Sequence, residues 1–96
     1  NLRIKAGALE LDLDMRKAYQ DGTSIDLTPT EFSILYLLLE NRGRVVSREK
    51  ILDYIWLQDE DYIDTNTLNV HVSRLRRKLP QSKIKTIRGV GYLWEA

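Results

Sequence analysis

Seven cationic side chains, Arg74, Arg76, Arg77, Lys78, Lys83, Lys85 and Arg88, fall within residues 71–88, a stretch that contains no Asp or Glu. Unopposed cations over such a length favour a polyanionic partner, because their fields add instead of cancelling. The formal net charge of +1 hides this, since the chain through Glu60 carries −3 and the remainder +4. A solvated Lys/Arg face is the alternative on charge alone. What the cations sit on decides between the two.

Leu68, Val72, Leu75 and Leu79 fall within about 60° of one another on a helix turning about 100° per residue, a stripe that must face a core. Asn66, Val70, Ser73, Arg74 and Arg77 then lie on the opposite side. Asn69 and Arg76 form one flank, and Thr67, His71 and Lys78 the other. This outer face is contact chemistry. Arg spans guanine with two hydrogen bonds, Asn does the same for adenine, and Ser reaches either, so Ser73, Arg74 and Arg77 are candidate base readers. Flanking His, Arg and Lys suit phosphate oxygens, as do the donors of Thr67.

Other chemistry is less well supported. His71 is the only histidine and no cysteine accompanies it, so no metal site is expected. Arg88-Gly89-Val90-Gly91 lacks the third glycine and the strand-to-helix setting of a dinucleotide fingerprint, and reads as a hairpin turn. Asp59, Glu60 and Asp61 follow no calcium-loop pattern and read as a solvated acidic loop. Ser47, Asp53 and His71 form no nucleophile constellation, so no enzymatic activity is expected. Trp56 is assigned equally to packing and to an indole N–H reaching a phosphate, and Trp94 mainly to packing.

The elements that must position this helix are legible. Ala8 to Leu13 alternates apolar and polar, and Gln20-Asp21-Gly22 marks a turn between Ala18-Tyr19 and Ser24–Leu27, so residues 2–27 predict a small antiparallel sheet. Thr28-Pro29-Thr30-Glu31 supplies a hydroxyl cap, a proline at the first helical position and a Glu three residues on, which together start a helix. That helix is apolar almost all round and ends at Asn41-Arg42-Gly43. After an extended link over Arg44–Val46, Ser47 caps a second helix carrying Ile51, Leu52, Ile55 and Trp56. A polar loop over 58–62 leads to Asp64 or Thr65, which caps a third helix running to Leu79, before Pro80. Ile84–Ile87 and Tyr92–Trp94 flank the glycine turn as a β-hairpin. Two helices with a short connection, the second basic and followed by a basic hairpin, make an α+β winged helix-turn-helix.

Composition sets bounds. With 96 residues, 43% apolar and 30% charged, the chain suits one small folded domain, residues 1–96. No apolar run approaches the roughly 20 residues of a membrane span. Zero cysteines exclude disulfides and thiolate sites and suit a reducing cytoplasm. The opening Asn1-Leu2-Arg3-Ile4, without an initiator Met, reads as a segment of a longer protein.

Leu27–Phe32, Asn69–Leu79 and Thr86–Tyr92 closely resemble three ordered motifs of the C-terminal effector domain of OmpR/PhoB-type response regulators. The resemblance implies an N-terminal four-stranded antiparallel sheet, three helices and a C-terminal hairpin wing, with a phosphorylated receiver domain preceding them. It implies noncatalytic, cofactor-free, sequence-specific binding of double-stranded DNA, two copies head to tail on direct repeats. Asn69 and Arg74 match base-reading positions; Asn66, His71 and Arg76 match backbone-contacting ones. Thr86 matches a wing contact to the backbone, and Arg88 the wing arginine that enters the minor groove. The family often has Arg at the place of Asn66 and Asp at that of Asn69. The loop 57–63, with Asp59, Glu60 and Asp61, matches one that touches RNA polymerase in several relatives. A sensor kinase acting on the receiver domain is also implied. The rival reading is a winged helix used for protein association without DNA specificity.

Overall fold

The computed structural model describes residues 2–58, 65–79 and 83–95. Strands β1 (Arg3–Ala6), β2 (Leu9–Asp12), β3 (Lys17–Gln20) and β4 (Thr23–Ile25) form an antiparallel sheet in the order β1-β2-β3-β4. The alternation of β2 places Leu9 and Leu11 on the buried face, where Leu11 stands opposite Ala18 of β3. Asp21 and Gly22 both take positive φ, 52° and 81°, between the paired Gln20 and Thr23. A two-residue loop with both residues in that region matches the twist of the strands it joins.

Helix α1 (Pro29–Glu40) begins as the capping pattern requires: Glu31 N–H donates to Thr28 Oγ1 at 3.1 Å, and Thr28 N–H donates to Glu31 Oε1 at 2.9 Å. Ile34, Leu35, Leu38 and Leu39 are fully buried, so this helix is the centre of the core. Arg16 fastens the sheet to it, donating to Pro29 O and Ser33 Oγ while its guanidinium lies 4.8 Å from the Phe32 ring centroid.

Strand β5 (Val46–Ser47) precedes α2 (Arg48–Gln58), and α3 (Thr65–Lys78) precedes the hairpin β6 (Ile84–Ile87) and β7 (Gly91–Trp94). Ser47 Oγ accepts from Lys50 N–H at 3.1 Å and so caps α2, as its sequence position predicts. The third helix ends one residue earlier than expected, although Leu79 N–H still reaches Leu75 O at 3.2 Å. Asp64 and Pro80 lie outside the described residues.

The link before α2 is more than a link. Val46 and Ser47 pair antiparallel with Tyr92 and Gly91, giving a second sheet in the order β5-β7-β6. Gly43 N–H to Trp94 O and Arg48 N–H to Val90 O extend this seam. The wing is thereby bonded to the chain entering the helix pair, and periodicity does not report a two-residue strand. At Gly91 a Cβ would stand 2.0 Å from Val46 O and 2.9 Å from Ser47 Cα, both backbone atoms. Gly91→Ala is therefore expected to part β7 from β5 and cost about 1 to 3 kcal/mol, the usual penalty of overpacking, read in a thermal melt. An unchanged melt would mean that the seam yields freely.

Candidate nucleic-acid interface

The third helix divides as its periodicity requires. Leu68, Val72, Leu75 and Leu79 are at most 2% exposed and join one core with α1, α2 and the N-terminal sheet. Asn66, Thr67, Asn69, Val70, Ser73, Arg74 and Arg77 are exposed, and His71 is half-buried at the flank. Asn69, Val70, Ser73, Arg74 and Arg77 line one shallow, open depression. Its rim carries hydrogen-bond donors and two guanidinium groups and no carboxylate. Arg76, Arg77 and Lys78 in the last turn also complement the negative end of the helix dipole.

The wing stands against this helix through two contacts. Arg76 Nη2 donates to Thr86 Oγ1 at 2.7 Å and to Ile84 O at 3.1 Å, and its guanidinium lies 5.9 Å from the Tyr92 ring centroid. The Tyr92 hydroxyl donates to Asn69 Oδ1. Arg76 and Thr86, both expected at phosphates, are thus bonded to one another within the fold. Tyr92 is 2% exposed and was absent from the sequence-derived site. Its aromatic ring reads as core, and only the pairing of β7 with β6 and β5 aims its hydroxyl at α3.

Arg88 is exposed at the wing tip, in a turn closed by Val90 N–H to Ile87 O at 3.0 Å with Gly89 at φ 75°. That conformation suits glycine and leaves the preceding side chain to project. Lys85 lies 3.9 Å from Glu95, an exposed pair.

Lys78, expected at a phosphate, also has a partner inside the fold. Its Nζ lies 2.6 Å from Glu31 Oε1, on a carboxylate with no exposed surface. Its charge is matched inside the fold, where α3 meets α1, while 35% of the side chain remains exposed. Burial pushes the Glu31 carboxyl up, but the hydrogen bond from Lys78, the Thr28 N–H and the nearby ammonium outweigh it and hold the group below the usual carboxylate range. Among the described residues, Glu31 Oε2 is buried with no hydrogen-bond partner, which leaves Lys78 as the compensating charge.

Trp56 is 42% exposed near the end of α2, whereas Trp94 is 5% exposed and belongs to the core. Asp59, Glu60 and Asp61 lie outside the described residues. Among the described residues there is no cluster of three or more His, Cys, Asp or Glu suited to a metal, and no helix is long and apolar enough to cross a membrane.

Comparison with known proteins places this geometry. Residues 22–94 match the family model described as transcriptional regulatory protein, C terminal. The response regulator ArlR of Staphylococcus haemolyticus is 42% identical over 94 residues, covering 94% of this chain and 42% of ArlR. The chain spans about two fifths of the length of the curated relatives it matches. Among solved structures, the DNA-binding domain of CpxR from E. coli superposes with a TM-score of 0.84 at 35% identity, over 100% of this chain and 98% of that one. The Klebsiella pneumoniae RstA DNA-binding domain, solved in complex with the RstA box, gives 0.83 at 29% identity, over 99% and 98%. With the four-stranded sheet, the three helices and the wing, these matches show that the chain belongs to the OmpR/PhoB-type C-terminal DNA-binding domains of response regulators.

Proposed function

We propose that this chain binds double-stranded DNA sequence-specifically as the output domain of a two-component response regulator. Helix α3 enters the major groove and the β6–β7 wing meets the adjacent minor groove. The observation that carries this reading is the exposed, carboxylate-free face of α3 over a fully buried stripe, fixed beside a wing that ends in Arg88. A helix held that rigidly presents side chains at set positions, which direct base readout requires. The RstA DNA-binding domain, whose fold this chain shares, was solved in complex with the RstA box, which supports DNA binding by this fold.

In this reading Asn69, Ser73, Arg74 and Arg77 meet base edges, and Asn66, Thr67, His71 and the exposed part of Lys78 meet phosphates. Trp56, at the edge of α2, contributes its indole N–H. Arg76 and Thr86 act first as the joint between helix and wing, and any remaining donor capacity turns to the backbone. As in a two-component regulator, a receiver domain acted on by a sensor kinase precedes this segment in the full protein, which works in the cytoplasm. Two copies bind direct repeats head to tail, and the acidic residues Asp59, Glu60 and Asp61 face RNA polymerase. The domain has no catalytic role. Selection from random duplexes tests the reading: one recurring motif is expected, and an unenriched pool would overturn it.

The wing makes its own forecast. A narrow A·T-rich minor groove concentrates negative potential and draws in a guanidinium, which sheds water more readily than an ammonium. Arg88→Ala should therefore lose more affinity on operators flanked by A·T than on those flanked by G·C, with Lys a poor replacement. Equal losses, with a salt slope lower by about one, would reduce Arg88 to a phosphate contact.

A further inference from the structure

We propose that Tyr92 decides which base Asn69 reads, by holding the Asn69 carboxamide in one orientation. This rests on the proposed placing of Asn69 at a base edge. An asparagine side chain offers a carbonyl acceptor and an amino group with two donors, and a freely turning amide reads adenine by using both, accepting from N6 and donating to N7. Here the carbonyl is already engaged, because the Tyr92 hydroxyl donates to Asn69 Oδ1. The tyrosine is itself fixed: β7 pairs Tyr92 with Val46 on one side and Thr86 on the other, the residue is 2% exposed, and the Arg76 guanidinium covers its ring. Asn69 is exposed, so with its carbonyl turned to the wing its amino group is what faces outward.

An outward amino group matches acceptors and is wasted on donors. Guanine presents two adjacent acceptors, N7 and O6, in the major groove, whereas adenine pairs one acceptor with an amino donor. The held amide therefore favours a G·C pair where a free one favours A·T. Tyr92 acts as a positioning residue, coupling the wing to the specificity of the recognition helix without touching the base.

The test is selection from random duplexes with the wild-type chain, Asn69→Ala and Tyr92→Phe, each checked by its melt. Asn69→Ala should flatten one base column and so identify it. In the wild type that column should be G·C, and in Tyr92→Phe it should move to A·T by about tenfold or more, the scale of one good bidentate pair, while the other columns stay as they were. Because the phenyl ring remains, the melt should fall by no more than about 4 to 8 °C. A wild-type column of A·T overturns the proposal without need of the Tyr92 variant. So does a Tyr92→Phe column unchanged from wild type, or an even weakening of every column. If Asn69→Ala flattens no column, the base-reading role of Asn69 fails first, and that outcome is distinct from the failure of the tyrosine alone.

Discussion

Replacing Lys78 with methionine is expected to destabilise the fold by about 3 kcal/mol and to reverse the sign of the Glu31 contribution to its pH dependence. Glu31 has no exposed surface, one of its oxygens has no partner among the described residues, and Lys78 supplies the charge that offsets its burial. Methionine keeps most of the apolar stem and removes the ammonium, so the loss is electrostatic. Breaking a buried pair costs about 3 to 5 kcal/mol, and the lower end applies because the Lys78 side chain is 35% exposed and partly hydrated. In the wild type the folded Glu31 titrates below its unfolded counterpart, whose pKa is about 4.3. Its contribution is therefore present above that value and is lost as pH falls through the folded pKa. Without Lys78, burial dominates and the folded carboxyl titrates above the unfolded one. In the variant the Glu31 contribution is then fully present below about pH 4.3 and is lost as pH rises through the raised value. Melts of both proteins between acid and neutral pH check this. Adding Glu31→Gln to the variant should restore much of the loss, since the amide oxygen can still accept from Thr28 N–H. Parallel pH curves would mean that Glu31 does not depend on Lys78.

A second large effect separates the two faces of α3. Leu75 is fully buried in the core, and Leu75→Ala should cost about 2 to 5 kcal/mol through lost burial and the cavity left behind. A chain of this length has only about 5 to 14 kcal/mol in total, so the variant should melt far earlier. Its neighbour Arg74 is exposed, and Arg74→Ala should leave the melt almost unchanged while costing about 1 to 3 kcal/mol of base discrimination. The two measurements are a denaturation curve and a binding isotherm on selected and scrambled duplexes. Matching melts for the two variants would contradict the division of the helix.

Features that depend on neighbours in the chain were legible before any coordinates. The Thr28–Glu31 capping box, the stripe from Leu68 to Leu79 and the hairpin around Arg88–Gly91 are local patterns, and each stands where its spacing places it. Features that depend on distant partners were not. Lys78 and Glu31 are 47 positions apart, and nothing local reveals that a lysine on the flank of a basic helix pairs with a carboxylate of α1. Arg76 likewise reads as a free cation, because nothing local reveals Thr86 and Ile84 as its acceptors. Tyr92 was missed because a strand aromatic signals core, and its hydroxyl gains meaning only when β7 lies beside α3. Val46 reads as part of a link and Ser47 as a helix cap, and their strand pairing with Tyr92 and Gly91 stays hidden because two residues are too few for a period. The site was thus legible as a face, and the contacts that orient its side chains were not.

The central claim is that the outer face of α3 reads DNA sequence. Its most direct test is the ratio of affinities for a selected duplex and for the same bases scrambled, followed across salt. Both affinities should fall steeply as salt rises, because phosphate neutralisation releases counterions from either duplex. Their ratio should stay at about 10³ or more, the lower bound for specific binders, and fall by about 5- to 150-fold in Arg74→Ala, the equivalent of the roughly 1 to 3 kcal/mol given above. A ratio near one at every salt concentration, with wild type and Arg74→Ala alike, would contradict the account and leave only a basic surface.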